Sequence, residues 1–111
     1  MLKKASLLAA GTAPIPPGRR AAQLFSHGSM GVWFYAPRSA DLQTPHDQDE
    51  VYIIVNGTGS FFCAGERIQF GPGDALFVPA NAEHRFEEFS DDLEVWVVFY
   101  GPRGGESAVV A

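Results

Sequence analysis

With 111 residues the chain is the length of a single domain, against roughly 150 residues for an average one. Its content of 46% hydrophobic and 19% charged residues is that of a folded globular protein and excludes intrinsic disorder and coiled coil. A formal net charge of −5 repels phosphate backbones and argues against a nucleic-acid partner.

The first segment, Met1-Leu2-Lys3-Lys4 followed by Ala5 to Gly11, is similar to the start of a signal peptide. Its apolar run of about six residues falls short of the roughly 7–15 that a secretory leader uses, so it reads as a peripheral segment of a cytoplasmic protein. No stretch reaches the roughly 18 apolar residues of a membrane helix, and no membrane partner is expected. Leu7–Ala10 is the one helical patch, and it is short. Pro14, Pro16 and Pro17 then remove donors and fix φ, so residues 11–20 are extended. The expected organisation is a lead-in over 1–20, a domain over 21–102 and a tail over 103–111.

From residue 21 short apolar segments alternate with turn signals. Strands are predicted near 22–26, 30–36, 50–55, 59–63, 66–70, 75–78, 84–89 and 93–100. Asn56-Gly57 supplies the positive φ values of a tight hairpin between Val51–Val55 and Ser60–Cys63, and Ala64-Gly65 can close the next one. Gly71-Pro72-Gly73-Asp74, Pro79 to Ala82 and Ser90-Asp91-Asp92 separate the later strands. The acidic run from Glu87-Glu88 to Asp91-Asp92 reads as a solvated hairpin. About eight strands, 20 Gly and Pro residues and 14 aromatic ones indicate an all-β antiparallel sandwich or barrel. The stretch 36–49 is the longest irregular connection, and loops of that length are usually functional or disordered.

That loop ends in Thr44-Pro45-His46-Asp47-Gln48-Asp49-Glu50, which leads into the apolar strand 51–55. Alternation puts Glu50 on one face with Tyr52 and Ile54, and His84 with Phe86 and Glu88. A carboxylate turned into an apolar interior costs several kcal/mol unless it is paired or metal-bound. The rival is a protonated Glu50 that itself gives or takes a proton. Cys63, the single cysteine, excludes an intramolecular disulfide and a cysteine-built zinc site, and reads as a small hydrophobe on a strand. His27 reads as a solvated turn residue. Arg38 and Arg85 read as surface residues, while Tyr35, Tyr52, Phe77, Phe86 and Trp96 read first as core packing.

Two segments together resemble the paired motifs of the cupin superfamily. The first motif runs His-x-His, three or four residues, Glu, six residues, Gly. Here His46, Glu50 and Gly57 fall at those spacings, with Thr44 at the first histidine. The second runs Gly, five residues, Pro-x-Gly, two residues, His, three residues, Asn. Gly73, Pro79 and His84 match it, with Asn81 where Gly is usual and Glu88 at the final Asn. Two motifs in order, spanning about residues 30 to 100, are far more specific than one.

The resemblance implies a jelly-roll barrel (a double-stranded β-helix), a homodimer, and a divalent metal held by His46, Glu50 and His84. Iron, manganese, zinc or nickel suits two imidazoles and a carboxylate. Gln48 is a weak additional donor, because its place matches no motif position. Glu50 and Tyr52 are the catalytic candidates, Tyr52 because it follows Glu50 on the inward face. The implied activity is dioxygenase, isomerase or epimerase, or decarboxylase chemistry on a small organic molecule. The loss of a ligand at Thr44 keeps open a non-catalytic barrel binding a sugar or aromatic acid, and a structural domain with a vestigial pocket.

Overall fold

The computed structural model describes residues 2–107; Met1 and the last four residues of the expected 103–111 tail lie outside them. Local chemistry sets the first element. Ser6 accepts a hydrogen bond from the Ala9 amide and caps α1, Leu7–Thr12, satisfying one of the donors a helix start leaves free. No helix among the described residues is long and apolar enough to cross a membrane.

Eight strands follow among the described residues: β1 Ala22–His27, β2 Met30–Tyr35, β3 Asp49–Asn56, β4 Gly59–Cys63, β5 Glu66–Phe70, β6 Ala75–Val78, β7 His84–Glu87 and β8 Glu94–Tyr100. They form a five-stranded sheet in the order β1-β2-β8-β3-β6 and a three-stranded sheet in the order β5-β4-β7. The pairings are antiparallel. The protein is thus an all-β, double-sheet barrel, with side chains of both sheets meeting in one core. Tyr52 and Ile54 of β3, Val95 and Val97 of β8 and Leu76 and Val78 of β6 pack with Phe61, Phe70 and Phe86 of the smaller sheet. Edge-on ring contacts carry that packing across the gap, Tyr52 to Phe61 at 5.6 Å and Tyr52 to Phe86 at 5.0 Å. Such pairs add about 1 kcal/mol each beyond the area they bury.

Two of the expected hairpins are crossovers. β3 pairs with β6 and β8, whereas β4 pairs with β5 and β7. Asn56-Gly57 therefore passes the chain from one sheet to the other. Gly57 has φ +103°, and a Cβ there would lie 2.7 Å from the Leu93 Cα. The glycine serves a close approach between segments rather than a two-residue turn. The acidic run 87–92 also connects the two sheets, since β7 and β8 are not partners. Glu88 has φ +48° and is exposed, so β7 ends at Glu87 and Glu88 does not share the inward face of His84 and Phe86. Ala64-Gly65 does close a hairpin. Both residues have positive φ, and Cys63 faces Glu66, the geometry of a primed turn.

Candidate metal centre

Alternation along β3 sends Glu50, Tyr52 and Ile54 into the barrel, each about 1% exposed. β7 brings His84 to the same space from the opposite sheet, 2% exposed. His46 comes from the irregular loop before β3 and keeps a third of its side-chain surface. The second motif holds it there, because the Asn81 amide donates to the His46 carbonyl at 2.6 Å. Asn81 has φ +67°, which explains why glycine is usual at that position and why asparagine serves.

One ligand atom from each of His46, Glu50 and His84 lies within 4.8 Å of the others. The His84 Nε2 is 2.9 Å and the His46 Nε2 3.9 Å from Glu50 Oε1. His84 Nδ1 sits 2.9 Å from the Ala82 carbonyl. A carbonyl can only accept, so Nδ1 carries the hydrogen and the neutral ring turns its Nε2 lone pair inward. Burial pushes the basicity of His84 down, but the Glu50 carboxylate and the Ala82 carbonyl outweigh it and hold His84 above its usual pKa. Burial dominates at His46 and holds it below its usual value, against the pull of Glu50.

Neither oxygen of the buried Glu50 carboxylate receives a well-directed hydrogen bond among the described residues. Protonating His84 would place one N–H near Oε1 and leave Oε2 without a donor. Buried polar atoms of this kind are rare, and a cation is one partner that would satisfy them. Donors about 2.1 Å from one ion sit about 3.0 Å apart at right angles and about 3.4 Å apart in a tetrahedron. The 2.9 Å separation of His84 and Glu50 is close to that range, His46 at 3.9 Å stands farther out on its loop, and the donor types suit a divalent metal. The three residues fit the ion in donor chemistry.

Around this point the structure separates residues that the sequence placed together. Thr44 is exposed and lies at the rim of a cleft of about 210 Å³. Gln48, the weak additional donor of the sequence reading, turns away; its amide donates to the Ser29 and Gly101 carbonyls, both at 2.9 Å. Asp49 is buried and clamps backbone instead, accepting from the Ala80 and Glu106 amides. Tyr52 donates its hydroxyl to Gln43 Oε1 at 2.8 Å. Burial and the nearby Glu50 hold that phenol well above its usual pKa, so it is a proton-bearing donor. Cys63 faces His84 across β4 and β7, and burial keeps its thiol protonated. His27 is exposed at the end of β1.

Gln43 is the residue the sequence reading missed. Its Oε1 lies 3.1 Å from His84 Nε2 and 3.4 Å from His46 Nε2. An amide one place before the expected first histidine was the available signal. Arg19 and Arg20 fall within the expected lead-in over 1–20. Both line the smaller cleft with His46, and Arg19 also lines a larger one of about 400 Å³ with Trp33, His46 and Phe99. The Arg19 guanidinium stands 5.2 Å over the Trp33 ring, and neither arginine takes part in a salt bridge among the described residues.

Comparison with known proteins agrees with this architecture. The cupin domain profile matches residues 31–100. An uncharacterized protein of Streptomyces coelicolor is 39% identical over 74 residues, covering 67% of this chain and 70% of its own. Acireductone dioxygenase 1 of Pectobacterium atrosepticum is 40% identical over 65 residues, covering 53% of this chain but only 37% of the dioxygenase. The crystal structure of a cupin 2 conserved barrel domain protein from Salinispora arenicola superposes with a TM-score of 0.67 at 18% identity, covering 91% of each chain.

Proposed function

The chain belongs to the cupin domain family, and we propose that it binds one divalent metal ion through His46, Glu50 and His84 and acts on a small organic molecule there. The observation that carries this reading is the Glu50 carboxylate, buried to 1%, with no well-directed hydrogen bond to either oxygen among the described residues and beside two imidazoles from separate segments. When bound, iron, manganese, zinc or nickel supplies a Lewis acid with positions left open for substrate oxygens.

The chain's own residues do the rest. His84, tethered by Ala82, presents Nε2 in a fixed orientation. Tyr52, with its proton retained, donates it to Gln43 Oε1 and fixes that amide at the back of the site. Glu50 anchors the ion and stands within reach of any substrate proton delivered beside it. Arg19 and Arg20 at the clefts, uncompensated by acid partners in an acidic protein, favour a substrate bearing a carboxylate or another anionic group. The likeness to an acireductone dioxygenase spans a minority of that enzyme; it supports assaying oxygen chemistry alongside isomerase and decarboxylase chemistry.

A second copy of the chain is the expected partner. Phe77 is 56% and Ile68 52% exposed, on β6 and β5, each at one edge of its sheet. Apolar edges of this kind are normally covered. Light scattering on the purified protein should return twice the chain mass.

Elemental analysis of protein purified without a metal-affinity tag tests the central reading. About one metal ion per chain is expected, together with a gain in Tm on adding iron(II), manganese, nickel or zinc to stripped protein. Stripped protein that no metal stabilises would overturn it. Stabilisation by small carboxylates that survives a chelator, without turnover, would instead establish the non-catalytic binding module.

A further inference from the structure

Resting on the metal-binding reading above, we infer that the side-chain oxygen of Gln43 is a fourth protein donor of the centre, oriented there by Asp41. The sequence position of the missing family ligand, Thr44, points elsewhere; the adjacent side chain takes its place in space. Asp41 is 8% exposed. Its carboxylate accepts from the Tyr35 hydroxyl, from the Phe86 amide at 2.8 Å, from the Gln43 amide at 3.3 Å and from Gln43 Nε2 at 2.6 Å. An ionised carboxylate only accepts. The Gln43 NH2 must therefore face Asp41, because the flipped amide would set a carbonyl oxygen against a carboxylate oxygen.

With the nitrogen so placed, Oε1 points to the opposite side. It lies 2.8 Å from the Tyr52 hydroxyl, 3.1 Å from His84 Nε2 and 3.4 Å from His46 Nε2. A carbonyl oxygen has two lone pairs. Tyr52 occupies one, and the other is available on the side of the histidines. In neutral His84 the hydrogen is on Nδ1, so Nε2 and Oε1 face each other as acceptors until a cation or a proton joins them. The separations of 3.1 and 3.4 Å are those of neighbouring donors about 2.1 Å from a common ion. Asp41 and Tyr35 act as positioning residues behind Gln43.

The consequence is a change in the ion preferred. Replacing an imidazole nitrogen by an amide oxygen makes the donor set two nitrogens and two oxygens. Oxygen donors favour manganese(II) and magnesium, whereas imidazole favours zinc, copper and nickel. The site should bind Mn2+ better, relative to Zn2+, than a nitrogen-rich centre of the same shape.

The test is calorimetric titration of chelator-stripped protein with Mn2+ and with Zn2+, together with the visible absorption spectrum of the Co2+-loaded form. Gln43→Leu, with Gln43→Met as a second variant should the first not fold, is expected to weaken Mn2+ binding by about 10–100-fold, to weaken Zn2+ binding less, and to shift the cobalt bands. Asp41→Asn, which leaves the donor but frees its orientation, should weaken Mn2+ by about 10-fold, the size of effect seen when outer partners of metal ligands are removed. Unchanged Mn2+ affinity in the Gln43 variants, or equal losses for the two metals with an unaltered cobalt spectrum, would show Gln43 to be only a structural hydrogen-bonding residue. A His84→Ala control separates this from the wider reading: wild-type protein that binds none of the three ions, or His84→Ala protein that binds them as well as wild type, overturns the metal centre itself and Gln43 with it.

Discussion

Two neighbouring carboxylates at the start of β3 are buried to a similar degree and treated in opposite ways. Asp49, 5% exposed, receives the Ala80 amide at 2.9 Å and the Glu106 amide at 2.8 Å. Glu50, 1% exposed, receives none. The difference follows from strand alternation, which sends the first against backbone of the turn before β7 and of the C-terminal segment, and the second into the barrel. Asp49 is held in place by donors and itself holds three segments together. Glu50 has only the imidazoles of His84, at 2.9 Å, and His46, at 3.9 Å, beside it, and a buried carboxylate without amide donors costs several kcal/mol that a cation would offset. Burial therefore does not distinguish a structural carboxylate from a binding one; the donors around it do.

The largest expected effect breaks the Glu50 side of this contrast. Stripped wild-type protein should gain about 4 kcal/mol when metal is present at about 1,000 times its dissociation constant. Glu50→Gln should lose most of that gain while its metal-free form stays close to wild type, because the amide keeps the side chain's shape and an oxygen acceptor beside His84. Differential scanning fluorimetry with and without Mn2+ reads both. A full gain retained in the variant contradicts a ligand role for Glu50.

Next in size is the Asp49 side. Asp49→Ala leaves two amide donors unpaired and should cost about 3 kcal/mol in urea unfolding, with metal stoichiometry intact in the folded fraction. Were it the metal that suffered and not the stability, the two carboxylates would have been assigned the wrong way round. Gly57→Ala tests how the smaller sheet is brought over Glu50. A Cβ 2.7 Å from the Leu93 Cα at φ +103° should cost about 2 kcal/mol by denaturant midpoint, whereas Ala substituted at Gly65, whose neighbourhood is open, should cost less.

The smallest effect belongs to a half-buried carboxylate with partners on the outer face of β7. Arg67 first, and then Arg85, hold the Glu87 carboxyl below its usual pKa. A depressed carboxyl pKa stabilises the fold above the unfolded value, and that contribution is lost as pH falls through the folded one. Glu87→Gln should lower stability slightly at neutral pH. The difference should shrink with added salt and close toward pH values below the carboxyl range. A gap that is unchanged in acid would mean that the pair carries no stability.

Strand positions and the facing of Glu50, Tyr52 and His84 were readable from the chain, because alternation and turn residues act over two to four positions. The partners of those strands were not. Asn56-Gly57 looks like a hairpin whether the next strand folds back beside its neighbour or crosses to another sheet, and Leu93, 36 positions later, decides which. The same holds at the centre. Motif spacing brings His46, Glu50 and His84 forward as candidates, since each is tied to a strand or a turn with a local signature. It assigns the missing place to Thr44 by counting along an irregular loop, where counting carries no direction. Only the packed structure, with Asp41 caught between Tyr35, the Phe86 amide and Gln43, turns one side chain of that loop inward. A local pattern determines which face a residue takes; which groups meet across that face depends on contacts between residues far apart in the chain.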